Sequence, residues 1–378
     1  MNTEQLVSRV LDPDWLSDQA GRSVRAARLR IKPRTSLVVG LDDATGQPVG
    51  WLRFLWPISH NKAARTSQEA GELGVETSEH ELGELLVQTG PLPADPKLLT
   101  RINTATTAGE IGRWEASQVL RYNPLRRVVV RDGMRVVRVA TSRDRGVAFD
   151  RFMAGVVETP RRLDDGTLDG VSVHAFTGDL DLADLLDGNP PGVDRDPVHG
   201  ASDPVCAAGA MLARLHAAEV PGDLARSLAA RTADPVAQGL AHAALLDELA
   251  PDLAERMRRV AAELPGVASA MPVLSHGDLS PDQVLTTHDG DTVWLTDFDR
   301  ACLAPRAVDL GSFLAVLDDA AFLNGYRDGG GQVPPEDQLR RAVAASLILR
   351  AADPLRRACR DWKQQVSANL DRIREVAT

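Results

Sequence analysis

Residues 274 to 285 read LSHGDLSPDQVL, a polar loop set between apolar residues, with a carboxylate at Asp278 and an amide at Gln283. A second acidic group, Asp297 and Asp299 in LTDFD, arrives fourteen residues after Gln283. The intervening QVLTTHDGDTVWLTDFD reads as two short strands around a His288-Asp289-Gly290-Asp291 turn. A tight return of that kind brings 278–283 and 297–299 together in space. Phosphoryl transfer needs such a grouping: one carboxylate to orient and deprotonate the attacking hydroxyl, and oxygen ligands to hold magnesium on the nucleotide phosphates. The competing reading is a pair of solvated turns, with Asp282 a plain loop residue and Asp299 either a second metal ligand or a solvating group. His276 reads as a residue that holds the loop by a backbone hydrogen bond, since proton transfer to it would make Asp278 redundant.

The elements that must position these side chains follow from the pattern. SLVVGLDDATGQPVGWLRFLW (from 36) reads as two apolar strands around a turn, and VVVRDGMRVVRVA (from 128) as two more around a tight Asp132-Gly133 turn. The two hairpins also resemble each other: RIKPRTSLVV aligns with RYNPLRRVVV, placing Pro33 on Pro124, and WLRFL with VVRVA, placing Arg53 on Arg138. Between them, residues 60 to 118 mix polar helix-like stretches with a Pro/Gly-marked loop beside a short strand. A helix near 145–156, a strand at 171–175 and a Thr177-Gly178-Asp179 turn follow, with a helix opening at Leu180. From 203 the periodicity is helical apart from the one hairpin, and DGGGQ at 328–332 reads as a linker, since it neither follows a strand nor continues into Gly-Lys. A β-rich first part and a helical second part imply an α+β, two-lobed protein.

Composition narrows the class. Apolar residues make up 43% and charged ones 25%, as in soluble globular chains, and 378 residues suit two or three packed units. A net charge of -10 argues against a nucleic-acid binder with a basic face. Three scattered cysteines, Cys206, Cys302 and Cys359, support neither a disulfide framework nor a zinc site. With no signal-like or spanning apolar segment, the expected setting is the cytoplasm, away from membranes.

HGDLSPDQVL and LTDFD together resemble the catalytic and metal-binding loops of the aminoglycoside phosphotransferase and choline kinase superfamily, distant relatives of protein kinases. Its pattern is His-x-Asp, four residues, Asn, a hairpin, then Asp-Phe or Asp-Trp. The resemblance implies that Asp278 is the catalytic base, with His276 in the same catalytic loop, and that Asp297 binds metal. Gln283 falls on the asparagine, where its longer side chain carries the ligand oxygen about 1.5 Å further. VVRVA resembles the strand whose basic residue meets the nucleotide phosphates, here Arg138 where many relatives have lysine. Its alternation with Val137 and Val139 favours that role over an exposed strand face. Asp150 and Glu158 are candidate acidic partners. AFTGDLDLADLL is similar to the hinge, which places Ala175 and Phe176 against the nucleotide; LARLHAA is similar to the preceding helix, with His216 a packed histidine; PRAVDLGSFLA is similar to the segment after the metal loop, with Asp309 as its structural aspartate.

The implied fold is bilobal and protein-kinase-like, with a β-rich N-lobe over 119–178 and a helical C-lobe over 179–378. Residues 1–118 resemble the cap-like extension of maltokinase-like bacterial members. The implied activity is an ATP- and Mg2+-dependent phosphotransfer to a hydroxyl of a sugar, an aminoglycoside-like molecule or an amino alcohol. Two alternatives stay open: a Ser/Thr peptide kinase of lanthipeptide- or thioamitide-like maturation, and a pseudokinase or binding module, which Arg138 and Gln283 would favour.

Overall fold

The computed structural model describes residues 1–112, 114, 118–186, 203–228, 233–264, 266 and 271–377. Helices α1 (Thr3–Val10) and α2 (Pro13–Ala20) begin where their caps dictate: Asn2 and Gln5 form a capping box, and Asp12 caps α2 ahead of Pro13. A five-stranded antiparallel sheet follows, built from β1 (Arg25–Lys32), β2 (Ser36–Asp42), β3 (Pro48–Leu55), β4 (Ser78–Leu82) and β5 (Leu85–Pro91). Its order is β1-β2-β3-β5-β4, and α3 (Asn61–Glu72) crosses between β3 and β4. Helix α4 (Leu99–Thr107) leads to a second antiparallel sheet of β6 (Gln118–Asn123), β7 (Arg127–Asp132), β8 (Arg135–Ala140) and β9 (Val171–Ala175), in chain order. Helix α5 (Val147–Ala154) lies between β8 and β9. At the tight β7–β8 turn Asp132 still pairs with Arg135, so Gly133 and Met134 form the tip, one residue beyond the expected position.

The two sheets repeat one unit. Val38 pairs with Arg30 on one side and Arg53 on the other, and Val129 pairs with Arg121 and Arg138 in the same way. The first turns match too, for the residues after Pro33 and Pro124 are both left-handed, Arg34 at φ 52° and Leu125 at φ 60°. In each copy the third strand is followed by a helix and then paired with a later strand, Arg53 opposite Gln88 and Arg138 opposite Ser172. The two arginines differ in their surroundings. Arg53 is sealed beneath α3, where it donates to Gln88 Oε1 at 2.8 Å, the Lys62 carbonyl at 2.7 Å and Thr66 Oγ1 at 2.9 Å. Arg138 opens onto a cleft.

After β9 the chain makes a two-residue strand, β10 (Leu180–Asp181), where a helix was expected to open, and then α6 (Leu182–Leu186). The rest is α7 (Pro204–Ala217), α8 (Gly222–Leu228), α9 (Pro235–Leu246), α10 (Pro251–Glu263), β11 (Val273–Ser275), β12 (Val284–Thr286), β13 (Val293–Leu295), β14 (Cys302–Ala304), α11 (Ala307–Leu314), α12 (Ala320–Asp328), α13 (Glu336–Arg350), α14 (Asp353–Arg356) and α15 (Trp362–Ala377). β12 pairs with β13 and β10, and β11 with β14. None of the helices described is long and apolar enough to cross a membrane.

Three apolar cores connect these layers. Leu37, Val39, Leu52 and Phe54 of the first sheet pack with Leu246, Met257, Ile348 and Ile373 of the C-terminal helices. Trp51, from the opposite face of β3, joins Leu98, Ile102, Val128, Val137 and Val173 in a core shared with the second sheet. A third core holds α7, α11 and α12 around β11–β13. Covered on both faces, β2 is buried from Leu37 to Leu41, which is why it reads as an unbroken apolar run. The first sheet is therefore a wedge between the second sheet and the helical lobe.

Helices α11 and α13 meet at Gly311, where an added Cβ would lie 2.5 Å from the Ala342 carbonyl carbon and 2.6 Å from its Cβ. Gly311→Ala is expected to cost about 1–3 kcal/mol by overpacking, read as a lower melting temperature. An unchanged melting temperature would show that the two helices are not in this close contact.

Candidate active site

The loop after β11 is fixed by one buried carboxylate. Asp309, on α11, accepts the backbone N–H groups of His276 and Gly277, each at 2.7 Å, and faces His216 Nε2 at 3.1 Å. Burial alone would push its pKa up; the His216 hydrogen bond and the fields of His216 and His276 outweigh this and hold it below the usual carboxylate range. Gly277 is left-handed at φ 84°, and a Cβ there would lie 2.2 Å from the Arg300 carbonyl oxygen, so only glycine fits between His276 and Asp278. His276 has no exposed surface; its Nε2 donates to the Thr296 carbonyl at 2.8 Å. It ties this loop to the loop after β13 and does not line the cleft, the place of a strut.

The cleft, about 330 Å³, lies between the open face of the second sheet and these two loops. Alternation explains what lines it: Val128 and Val130 point into the core, so Arg127 and Val129 face the cleft, and the pairing of Val129 with Arg138 puts Val136 and Arg138 on the same side. Ala175 and Phe176 lie at the hinge end, where Phe176 N donates to the Met134 carbonyl at 2.9 Å and the Arg131 guanidinium stacks 3.6 Å from the Phe176 ring centroid.

The other end is charged. Asp297, left-handed at φ 61°, is met by Arg127 Nη1 at 2.9 and 3.0 Å, while Arg138 pairs with Asp299. Arg145 donates to the backbone carbonyls of Asp299 and Ala301. Burial tends to raise both carboxylates. At Asp297 the Arg127 and Arg138 charges prevail and its pKa falls below the usual range; at Asp299 burial wins over Arg138, with Asp297 adding to it, and the pKa rises. Asp297 is thus the stronger anion of the pair.

Gln283 stands at the start of the hairpin and lines the same cleft as both aspartates. Its backbone accepts from Thr296 N and donates to the Ser280 carbonyl, but its side-chain Oε1 is buried with no hydrogen-bond partner among the described residues. Leaving such an oxygen unpaired costs about 1–3 kcal/mol, and a neutral oxygen sharing a cleft with two carboxylates is a donor set of the kind that magnesium accepts. The residues present therefore fit a magnesium ion carried on phosphates. Asp278 stands across the loop, 27% exposed, with Arg350 Nη2 at 2.7 Å and Arg300 Nε at 3.5 Å. Asp282 bonds Ser280 and lies 3.6 Å from Arg121.

Two expectations need correction. Neither Asp150 nor Glu158 partners Arg138: Asp150 is taken by Arg162 at 2.6 Å and lies 3.7 Å from His174, and Glu158 pairs with Arg214. The partner is Asp299, reached across the cleft from the other lobe. Arg127, Arg145 and Arg350 were not anticipated. For Arg127 the signal was present, since it shares the strand parity that singles out Arg138.

In sequence, residues 109–344, more than half of the chain, match the profile of the phosphotransferase enzyme family. No curated protein matches the chain in sequence. In structure it is similar to a choline/ethanolamine kinase family protein from Mesorhizobium loti, with 16% identity, 74% of this chain and 93% of that one covered, and a TM-score of 0.50. It is also similar to APH(2")-IIia in complex with GDP and kanamycin, with 17% identity, 74% and 98% covered, and a TM-score of 0.50. These likenesses establish the bilobal, protein-kinase-like fold. The chain belongs to the phosphotransferase enzyme family.

Proposed function

We propose that this kinase moves the γ-phosphate of ATP to a hydroxyl of a small molecule: a sugar, an aminoglycoside-like compound or an amino alcohol. The observation that carries the reading is the Gln283 oxygen, partnerless among the described residues, in a cleft also lined by Asp297, Asp299 and four arginines and next to the Asp278 loop. In this mechanism Asp278 accepts the proton of the attacking hydroxyl. Gln283 and Asp297 would hold magnesium, with Asp299 beside them, and the ion would neutralise charge on the phosphate oxygens. Arg138 and Arg127 steady the phosphates; arginine suits this by bidentate contact where lysine gives a point charge. Ala175 and Phe176 take the base of the nucleotide at the hinge. The kinase resemblance supports a division into a cap-like 1–118, an N-lobe 119–178 and a C-lobe 179–378, and the kanamycin bound to APH(2")-IIia supports an acceptor of small-molecule size. An acceptor screen of sugars, aminoglycosides and amino alcohols, reading ADP release from Mg-ATP, tests the proposal. Acceptor-dependent release from one class supports it, and phosphorylation of peptides with none of the small molecules would replace it.

A further inference from the structure

Resting on that reading, we infer that Arg350 is a positioning residue for the reaction, holding the carboxylate of Asp278 at the angle from which it takes the acceptor's proton. Arg350 is the last residue of α13, 72 residues along the chain from Asp278. Its Nη2 donates to Asp278 Oδ1 at 2.7 Å and to Ser312 Oγ at 3.1 Å. Ser312 is one turn beyond Asp309 on α11, the helix whose carboxylate fixes the backbone of His276 and Gly277. Loop backbone and base are therefore held from the same helix, by Asp309 directly and by Ser312 through Arg350. The tight seat of α13 on Gly311 sets the distance between them.

The way Arg350 is bonded favours this role over a plain structural ion pair. Its side chain is 23% exposed, and among the described residues its only carboxylate partner is Asp278 and its buried Nε has no hydrogen-bond partner. A stabilising buried arginine is normally bonded all round, and an apolar residue of similar volume would otherwise serve as well. By engaging one carboxylate oxygen, Arg350 stops the side chain from rotating and leaves Oδ2 to meet the hydroxyl. Arg300, whose Nε is 3.5 Å from Oδ2, lies too far for a strong hydrogen bond and leaves that oxygen accessible.

The test measures ADP release from Mg-ATP, with water as acceptor, for the wild type, Arg350→Ala, Arg350→Gln, Arg350→Lys, Asp278→Asn and the double variant Asp278→Asn/Arg350→Ala. Misplacing a reacting group by about 1 Å can cost on the order of a hundredfold, so Arg350→Ala should lose about ten- to a hundredfold in kcat, with KM for ATP within about twofold. Arg350→Lys should recover part of the loss, and millimolar guanidinium should restore Arg350→Ala several-fold. In the Asp278→Asn background, removing Arg350 should cost nothing more and guanidinium should restore nothing. Wild-type kcat in a folded Arg350→Ala or Arg350→Gln protein, or losses that simply multiply in the double variant, would overturn the inference. Undiminished release from Asp278→Asn would instead overturn the functional reading beneath it.

Discussion

Asp278→Ala should lower kcat by about 10²- to 10⁴-fold, the usual contribution of a positioned general base, while KM for ATP stays close to the wild-type value. The split follows from where the groups sit. Asp278 contacts Arg350 and Arg300 on the acceptor side, whereas Arg127, Arg138, Asp297 and Gln283 gather around the cleft. In the proposed mechanism, nucleotide binding and metal holding use none of the Asp278 contacts. Asp278→Asn is the better control for the fold, because its amide keeps an oxygen for Arg350 where alanine would leave a part-buried guanidinium unpaired. Steady-state kinetics on both variants, with the melting temperature as a check, gives the answer. An Asp278→Asn enzyme within about twofold of wild type would remove Asp278 from the chemistry.

Removal of residues 1–108 should abolish folding, even though the family match begins at 109. The deleted part supplies Leu6, Leu16, Leu37, Val39, Leu41, Leu52, Phe54 and Val87 to the core that holds α9, α10, α13 and α15 together. Without it Leu246, Met257, Ile348 and Ile373 would face water, at about 1.5–3 kcal/mol for each large apolar side chain, against a total stability of about 5–15 kcal/mol for a typical domain. Phe54→Ala tests the same contact more gently. Phe54 is fully buried and stacked on Trp15 with ring centroids 5.7 Å apart, so its loss should cost about 3–5 kcal/mol. Size-exclusion chromatography and thermal unfolding decide both. A soluble fragment that melts cooperatively would show that the N-terminal sheet is an appendage.

The two loops of the candidate site were legible because they are local: His276 to Gln283 and Asp297 to Asp299 are joined by one short hairpin, so spacing alone predicts their meeting. The hairpin likeness around Pro33 and Pro124 was legible for the same reason, and the matched left-handed turns at Arg34 and Leu125 give it a geometric basis. What sequence could not supply were contacts between distant segments. Arg350 reaches Asp278 only because two helices cross at Gly311, and Asp299 reaches Arg138 only across the two lobes. Weak local signals hid two elements. β4, SEHEL, is an almost wholly exposed edge strand without apolar alternation, and α4, LTRINTATT, is rich in threonines that disfavour helix until Ile102 and Ala105 are packed.

The burial of β2 and β3 on both faces also has a mechanical consequence. A two-lobed enzyme opens by rotation about one link, which the proposed division of the chain puts in the stretch from Phe176 to Asp179. In this chain a second load path runs beside that link, from Val128 and Val137 through Trp51 into Leu52 and Phe54 and on to α13. Opening the cleft about that link would slide Trp51 against the valines or carry the first sheet along, so the packing is that of an arch with a keystone.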